Sequence, residues 1–431
     1  MSRLRKFAVP AGTVALAAAM ALTAAGSGEI QLVYNPNYAN VAMMGAVPGD
    51  GQDDTAAFEM AMTGSRTLYV PAGEYIITKP IVLNSANLVG AGADKTVLIA
   101  DFEDPAQPII RAGRSSTVRD IQLRFKDGLV TGDEQKGERV GLLTAGRYSL
   151  QRGSSIANVK ITNVGTGIYS PSEADGQEAC SFSVTYDSLT IENFSYRGID
   201  FSARERTGNV YRNLYLSSGD YEADAAFYFS GEESETYLQS LTVENTRAKQ
   251  PVHLGDARAM AADVICLRNV QVTDPQGAFV AWNDSNGSIE RLMIQDSPAP
   301  VGGCLVDIRD NVYSTAAFPT LSHLRIGQLR LTGLTGVKEA GDFLFFRRTE
   351  EKDPVYVTVE DYDYTPGEGD AAVYEAFPVT EGDQLVFTCK GELTAKGPTD
   401  QRPKQRLCPF YTRYEDTTLG RTLIWTGKEW R

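Results

Sequence analysis

Apolar and polar residues alternate along most of this chain in runs too short for helices. The first are "TLYV" (67–70), "EYIIT" (74–78), "IVL" (81–83), "NLVG" (87–90) and "TVLIA" (96–100), rich in β-branched residues and separated by turn-forming residues. Brief strands are predicted there. One interval departs from this period. After "GDGQDD", Phe58, Ala61 and Met62 follow at three- and four-residue spacing, so a short helix is predicted near 53–63, ending at Gly64. Asp53 and Asp54 fall at its start, where unpaired backbone N–H groups and the positive dipole end favour carboxylates as N-cap acceptors. Asp50, Asp53 and Asp54 are therefore read as structural. Their spacing does not supply the alternating oxygen ligands of a calcium loop.

Beyond residue 100 the alternation becomes a loose repeat, visible in "STVRDIQLRF", "SSIANVKITNV", "VTYDSLTIENF", "GNVYRNLYLSS", "TYLQSLTVENT" and "DVICLRNVQVTD". Aligning the last inward pair of each puts Ile161, Ile191, Leu216, Val243, Val272 and Ile294 in register, at intervals of roughly 22 to 30 residues, within the range of a solenoid. Asn158, Asn163, Asn193, Asn213, Asn245 and Asn269 recur beside these strands, where an amide can satisfy a turn and tolerate a left-handed backbone. The pattern assigns the β-solenoid to residues 46–340. Residues 341–395 form a β-rich C-terminal section in which the register is lost. Residues 396–431 are a polar linker followed by a terminal unit, predicted as a hairpin turning at Thr426-Gly427-Lys428 with Trp425 stacked on Trp430.

Composition narrows function. A net charge of −14, with no basic block beyond "SRLRK" at the N-terminus, disfavours nucleic acid and anionic lipid as partners. The five cysteines (Cys180, Cys266, Cys304, Cys389, Cys408) are odd in number and form no C-x-x-C pair. They suggest neither a disulfide framework nor a zinc site, and read as buried free thiols. No nucleotide or metalloprotease motif is found, and no cofactor or metal is expected. Residues 1–45 hold an apolar stretch after Arg3, Arg5 and Lys6. It reads equally as a secretory signal or as an anchor in a larger assembly.

"GAVPGDGQDDTAAFEMAM" with "TLYVPAGEYIIT" and "ANLVGAG" resembles the opening of the pectate-lyase-superfamily right-handed β-helix. The resemblance implies an all-β, single-stranded right-handed parallel β-helix with a short N-terminal capping helix and a small C-terminal β section. The closing "EDTTLGRTLIWTGKEW" is similar to a unit that often ends phage and prophage virion proteins, matching at Asp416, Thr417, Thr418, Leu419, Gly420, Ile424, Trp425, Gly427 and Trp430; Glu415, Arg421 and Thr422 depart from its commonest form. That similarity implies a virion appendage, a tail spike or tail fibre, acting as a homotrimer, joined to other virion proteins through its N-terminus and binding a host surface polysaccharide or receptor. Two rivals stand beside it: a polysaccharide depolymerase, hydrolase or lyase, on the same scaffold, and an exported bacterial β-helix protein.

Cleavage on such a scaffold needs paired carboxylates, or a base beside a cation. The richest acidic stretch is "SSGDYEADAAFYFSGEESET", and Asp220, Glu222, Asp224, Glu232 and Glu233 are the candidate catalytic residues. The two histidines, His253 and His323, each sit between apolar neighbours and read as packed or hydrogen-bonded rings.

Overall fold

The computed structural model describes residues 38–127, 137–144, 150, 153–171, 173–174, 177–178, 181–202, 206–233, 235–257, 259–283, 286–309, 322–337, 343–348, 355–367, 385–389, 394–397, 399, 413–424 and 429–431. The apolar N-terminal run, most of the 396–412 linker and Trp425 to Lys428 lie outside them. Strand dominates what is described, and the expected single-stranded parallel β-helix is what forms.

Each coil is built from short stretches that change direction at residues in the left-handed region. In Ser155–Ser170 the bends fall at Asn158 (φ 50) and Asn163 (φ 56). Asn193, Asn213, Asn245 and Asn269 adopt the same conformation, with φ between 47 and 54. Non-glycine residues other than Asn and Asp enter this region at a steric cost. The side chains also bond from coil to coil: Asn269 Nδ2 donates to Asn245 Oδ1 (2.7 Å) and Asn193 Nδ2 to Asn163 Oδ1 (3.3 Å). The recurring Asn thus marks the corners.

Between corners, parallel pairing stacks apolar side chains into columns. One runs Ala39, Leu68, Leu88, Val118, Ile156, Tyr186 and Tyr211, then on through Leu238, Ala262, Ile289, Ile326 and Val359 to Cys389. Its members from Ala39 to Val359 are all buried. Because the column reaches Cys389, strands within the 341–395 section stack directly on the solenoid, in a register the sequence pattern did not reveal. A second column runs Ile161, Ile191, Leu216, Val243, Leu267, Ile294 and Leu331. It corrects the expected alignment: Leu267 takes the place assigned to Val272, which pairs with Ala248 on the next face. The strand Ala259–Val272 bends at Asn269 and carries an inward pair on each side of the bend. Choosing the last pair therefore selected the wrong face. Within the strand Ser155–Ser170, Gly167 admits no side chain, since a Cβ there would lie 2.5 Å from Gly198 O and 2.6 Å from Ile191 Cγ2.

The N-terminal end is closed by the predicted helix, Thr55–Gly64, with Phe58 and Ala61 buried against the first coil. Its aspartates hold this cap by a route different from the one expected. Asp54 makes no helix-capping bond; its backbone is already helical (φ −90, ψ −2), which turns the carboxylate away from the helix N–H groups. That carboxylate instead accepts the Val47 N–H (2.9 Å) and the Ile76 N–H (3.2 Å), tying the incoming chain to the strand Gly73–Ile77. Burial raises its pKa despite these donors. Asp53 supplies the helix-start contact, accepting the Thr55 N–H (2.9 Å), and also accepts the Thr78 hydroxyl (2.8 Å). Asp50 closes a local turn through the Gln52 N–H (2.9 Å).

The terminal unit is a three-stranded sheet. Thr394–Gly397 runs parallel to Arg413–Asp416, which pairs antiparallel with Arg421–Ile424. The connecting turn is Thr417–Gly420, with Gly420 at φ 63. Asp416 is fully buried beneath it and accepts the Leu419 N–H (2.9 Å) and the Thr399 hydroxyl (2.8 Å), so the Asp-Thr-Thr-Leu-Gly run is a turn held by its own aspartate. The predicted turn at Thr426-Gly427-Lys428 and the Trp425 stack lie outside the described residues. Ile424 and Arg431 exchange both backbone hydrogen bonds, and Trp430 packs on Tyr414, ring centroids 5.8 Å apart.

Candidate functional site: an arginine-clamped face

Parallel pairing places the site through one further column. The inward residues Ile168, Ile199, Phe227, Val252, Val280, Val306 and Phe346 stack in register, so the residues that follow them form an outward row: Tyr169, Asp200, Tyr228, His253, Ala281, Asp307 and Arg347. Adjacent rungs of such a ladder are about 4.8 Å apart. This brings together side chains nearly 180 positions apart in sequence.

Arg197 organises one end. Its Nη1 donates to Asp200 Oδ2 (3.0 Å) and its Nε to Asp224 Oδ2 (2.7 Å), while its guanidinium carbon lies 3.6 Å from the centre of the Tyr228 ring and 5.0 Å from that of Tyr196. Asp200 is fully buried, and its other oxygen accepts the Ser202 hydroxyl (2.5 Å). Burial disfavours the charge on Arg197, but the two carboxylates outweigh it and raise its pKa. Burial, with Asp200 nearby, pushes the Tyr169 phenol up to about 12.

The other end is built on Asp307, which is also buried. Arg309 Nε donates to its Oδ2 (3.0 Å) and Arg347 Nε to its Oδ1 (3.2 Å). Arg309 Nη2 also donates to Gln250 Oε1 (3.2 Å), whose amide nitrogen is anchored on the Ala278 carbonyl (2.8 Å). Between the clamps His253 stacks on Tyr228, centroids 4.5 Å apart and planes 14° from parallel. Only 6% of His253 is exposed, and its Nε2 has no hydrogen-bond partner among the described residues. Burial, followed by Arg309 and Arg197, depresses its pKa to about 3. The packed ring expected from "PVHLGD" is what forms. His323 lies at the surface with Nε2 3.0 Å from Thr358 Oγ1.

Of the five acidic candidates, this face includes Asp224. Asp220 is exposed in a turn, and Glu222 is exposed with an oxygen 3.8 Å from Arg247 Nη2. Glu232 and Glu233 end the strand Ala225–Glu233; their side chains lie outside the described residues. The remaining members of the face went unread although a signal was present. In "GIYS", "GIDF", "FYF", "VHL" and "VDI" a single polar or aromatic residue follows an inward apolar one at the same point of successive coils. Among the described residues no group of His, Cys, Asp and Glu is arranged to hold a metal. Cys266 and Cys304 are buried free thiols. No helix among these residues is long and apolar enough to cross a membrane.

Coil geometry and face together define a parallel β-helix with a largely buried, charge-paired row whose edge reaches solvent at Asp224 and Arg309. A family model described as rhamnogalacturonase A/epimerase, pectate lyase-like, matches residues 38–251, a span that includes the cap helix and the coils bearing Tyr169, Asp200 and Tyr228. Among solved structures, the chain is similar to the Agl-KA catalytic domain (13% identity, 83% of this chain and 69% of that one, TM-score 0.47). It is also similar to the catalytic unit of a GH87 α-1,3-glucanase from Streptomyces thermodiastaticus (14%, 86% and 69%, 0.42) and to the A-module of the Azotobacter vinelandii mannuronan C-5 epimerase AlgE4 (15%, 81% and 100%, 0.43). No curated protein matches the sequence.

Proposed function

We propose that this chain is a glycan-binding β-helix that serves as a virion appendage, a tail spike or fibre, and that the Tyr169–Arg347 face receives the host surface glycan. The observation carrying the glycan reading is the pectate-lyase-like match over 38–251, because those coils supply the Arg197 clamp and the Tyr196 ring, groups of the kind that bond and stack on sugars. The appendage reading rests on the terminal unit, whose Asp416-to-Gly420 turn carries the residues shared with virion proteins. A homotrimer joined to other virion proteins through its N-terminal region completes it. Binding is favoured over cleavage: Arg197 engages Asp200 and Asp224, and Ser202 takes the remaining Asp200 oxygen.

Light scattering on the purified full chain tests the assembly. Three times the chain mass is expected from symmetric closure, and a monomer counts against a spike. Mass spectrometry tests the anchor, since a mature start near Gly26 would favour an exported protein. The depolymerase reading has one observation behind it: Asp200 and Asp224 approach a single cation from neighbouring coils. It requires new reducing ends or unsaturated uronate absorbance from host polysaccharide, lost in Asp224→Asn or in the Glu232/Glu233 double variant.

A further inference from the structure

We propose that this face takes a neutral, hydroxyl-rich polysaccharide and excludes polyuronates. The inference rests on the glycan-binding reading and specifies its ligand. Each guanidinium in the clamps is already bonded to a buried or half-buried carboxylate. Arg197 holds Asp200 and Asp224, and Arg309 and Arg347 share Asp307. Among the described residues, three guanidiniums therefore face three carboxylates. An Arg fork is the side chain suited to a sugar carboxylate, but here a uronate would have to displace Asp200 or Asp307, both buried, leaving a desolvated charge without its partner. The ring between the clamps offers no cation in compensation, since His253 is buried and neutral.

Long-range electrostatics act in the same direction. The chain carries a net charge of −14, which repels a polyanion before contact. What the face does present is donors and acceptors held rigid: the Asp224 side chain is 29% exposed and that of Arg309 38%, and the Tyr196 ring lies against Arg197. Paired donors and acceptors of this kind match adjacent sugar hydroxyls, which both give and accept hydrogen bonds, while a bare carboxylate only accepts.

The test is affinity electrophoresis of the full chain through gels containing neutral polymers (glucans, mannans, galactans) or polyuronates (polygalacturonate, alginate), at low and high salt. Retardation by a neutral polymer, changing less than about twofold with salt, is expected, because no net charge is exchanged. Retardation by a polyuronate that weakens about tenfold in high salt would overturn the proposal. Retardation by neither class would instead overturn the glycan-binding reading, and this inference with it.

Charge unmasking supplies an independent arm. Asp307→Asn removes the negative charge that Arg309 and Arg347 share and should raise polyuronate affinity by about tenfold. Asp224→Asn, at a partly exposed site less prone to misfolding, should act in the same direction. Natively folded variants that gain no polyuronate binding would refute the proposal.

Discussion

Replacing Arg197 by Met probes the buried centre of the face while keeping much of the side-chain volume. The substitution leaves Asp200 fully buried with Ser202 as its remaining partner, and breaking a buried pair in this way costs about 3–5 kcal/mol. The Asp224 pair adds less than about 1 kcal/mol, because that carboxylate is partly exposed and screened. Loss of the guanidinium over Tyr228 adds about 1 kcal/mol. A total of roughly 4–7 kcal/mol is expected in urea unfolding, since these contributions act on one desolvated cluster. Solenoid coils can open locally. Hydrogen exchange in Thr185–Phe201 and Ala225–Glu233 should therefore report the loss even where the global transition moves less. The second variant is Arg197→Met with Asp200→Asn, which removes the orphaned charge and should recover half or more of the loss. A single variant within about 1 kcal/mol of the parent, or a double variant no more stable than the single, would refute the account of Asp200 as a compensated buried charge.

Substitutions at three further positions extend the tests. His253 titrates near pH 6.5 when unfolded and at about 3 when folded. The unfolded state thus binds more protons between those values: the stability from keeping the ring neutral is complete above pH 6.5 and is lost as pH falls toward 3, by at most about 1.4 kcal/mol per pH unit. Urea midpoints from pH 7 to 4 should fall less steeply in His253→Gln, and equal slopes would contradict the assignment. Asn269→Ala should cost about 1–2 kcal/mol through its left-handed backbone and the lost bond to Asn245; Asn269→Gly should cost less, and thermal melts that reverse this order would remove the corner role. Asp416→Ala orphans the Leu419 N–H and the Thr399 hydroxyl and should destabilise the terminal unit by about 1–3 kcal/mol. Proteolysis confined to the C-terminus would report it, and unchanged resistance would argue against a turn held by that carboxylate.

The sequence by itself determined the parts of this protein that depend on local physics. Alternation marked the strands, since a half-buried strand needs an apolar residue at every second position. Asn158 to Asn269 marked the corners because few residues adopt positive φ at low cost, and Phe58 with Ala61 marked the cap helix. Local rules failed where two faces carry the same alternation, as with Leu267 and Val272. They failed again at Asp54, whose carboxylate was free to bond either the helix or the strand across from it. The site was decided by tertiary structure alone. Arg197 meets Asp224, and His253 lies between Arg197 and Arg309, because parallel stacking aligns coils of unequal length. An outward side chain lacks the apolar constraint that makes inward positions periodic, so its partner is set by the coil beneath it rather than by spacing along the chain.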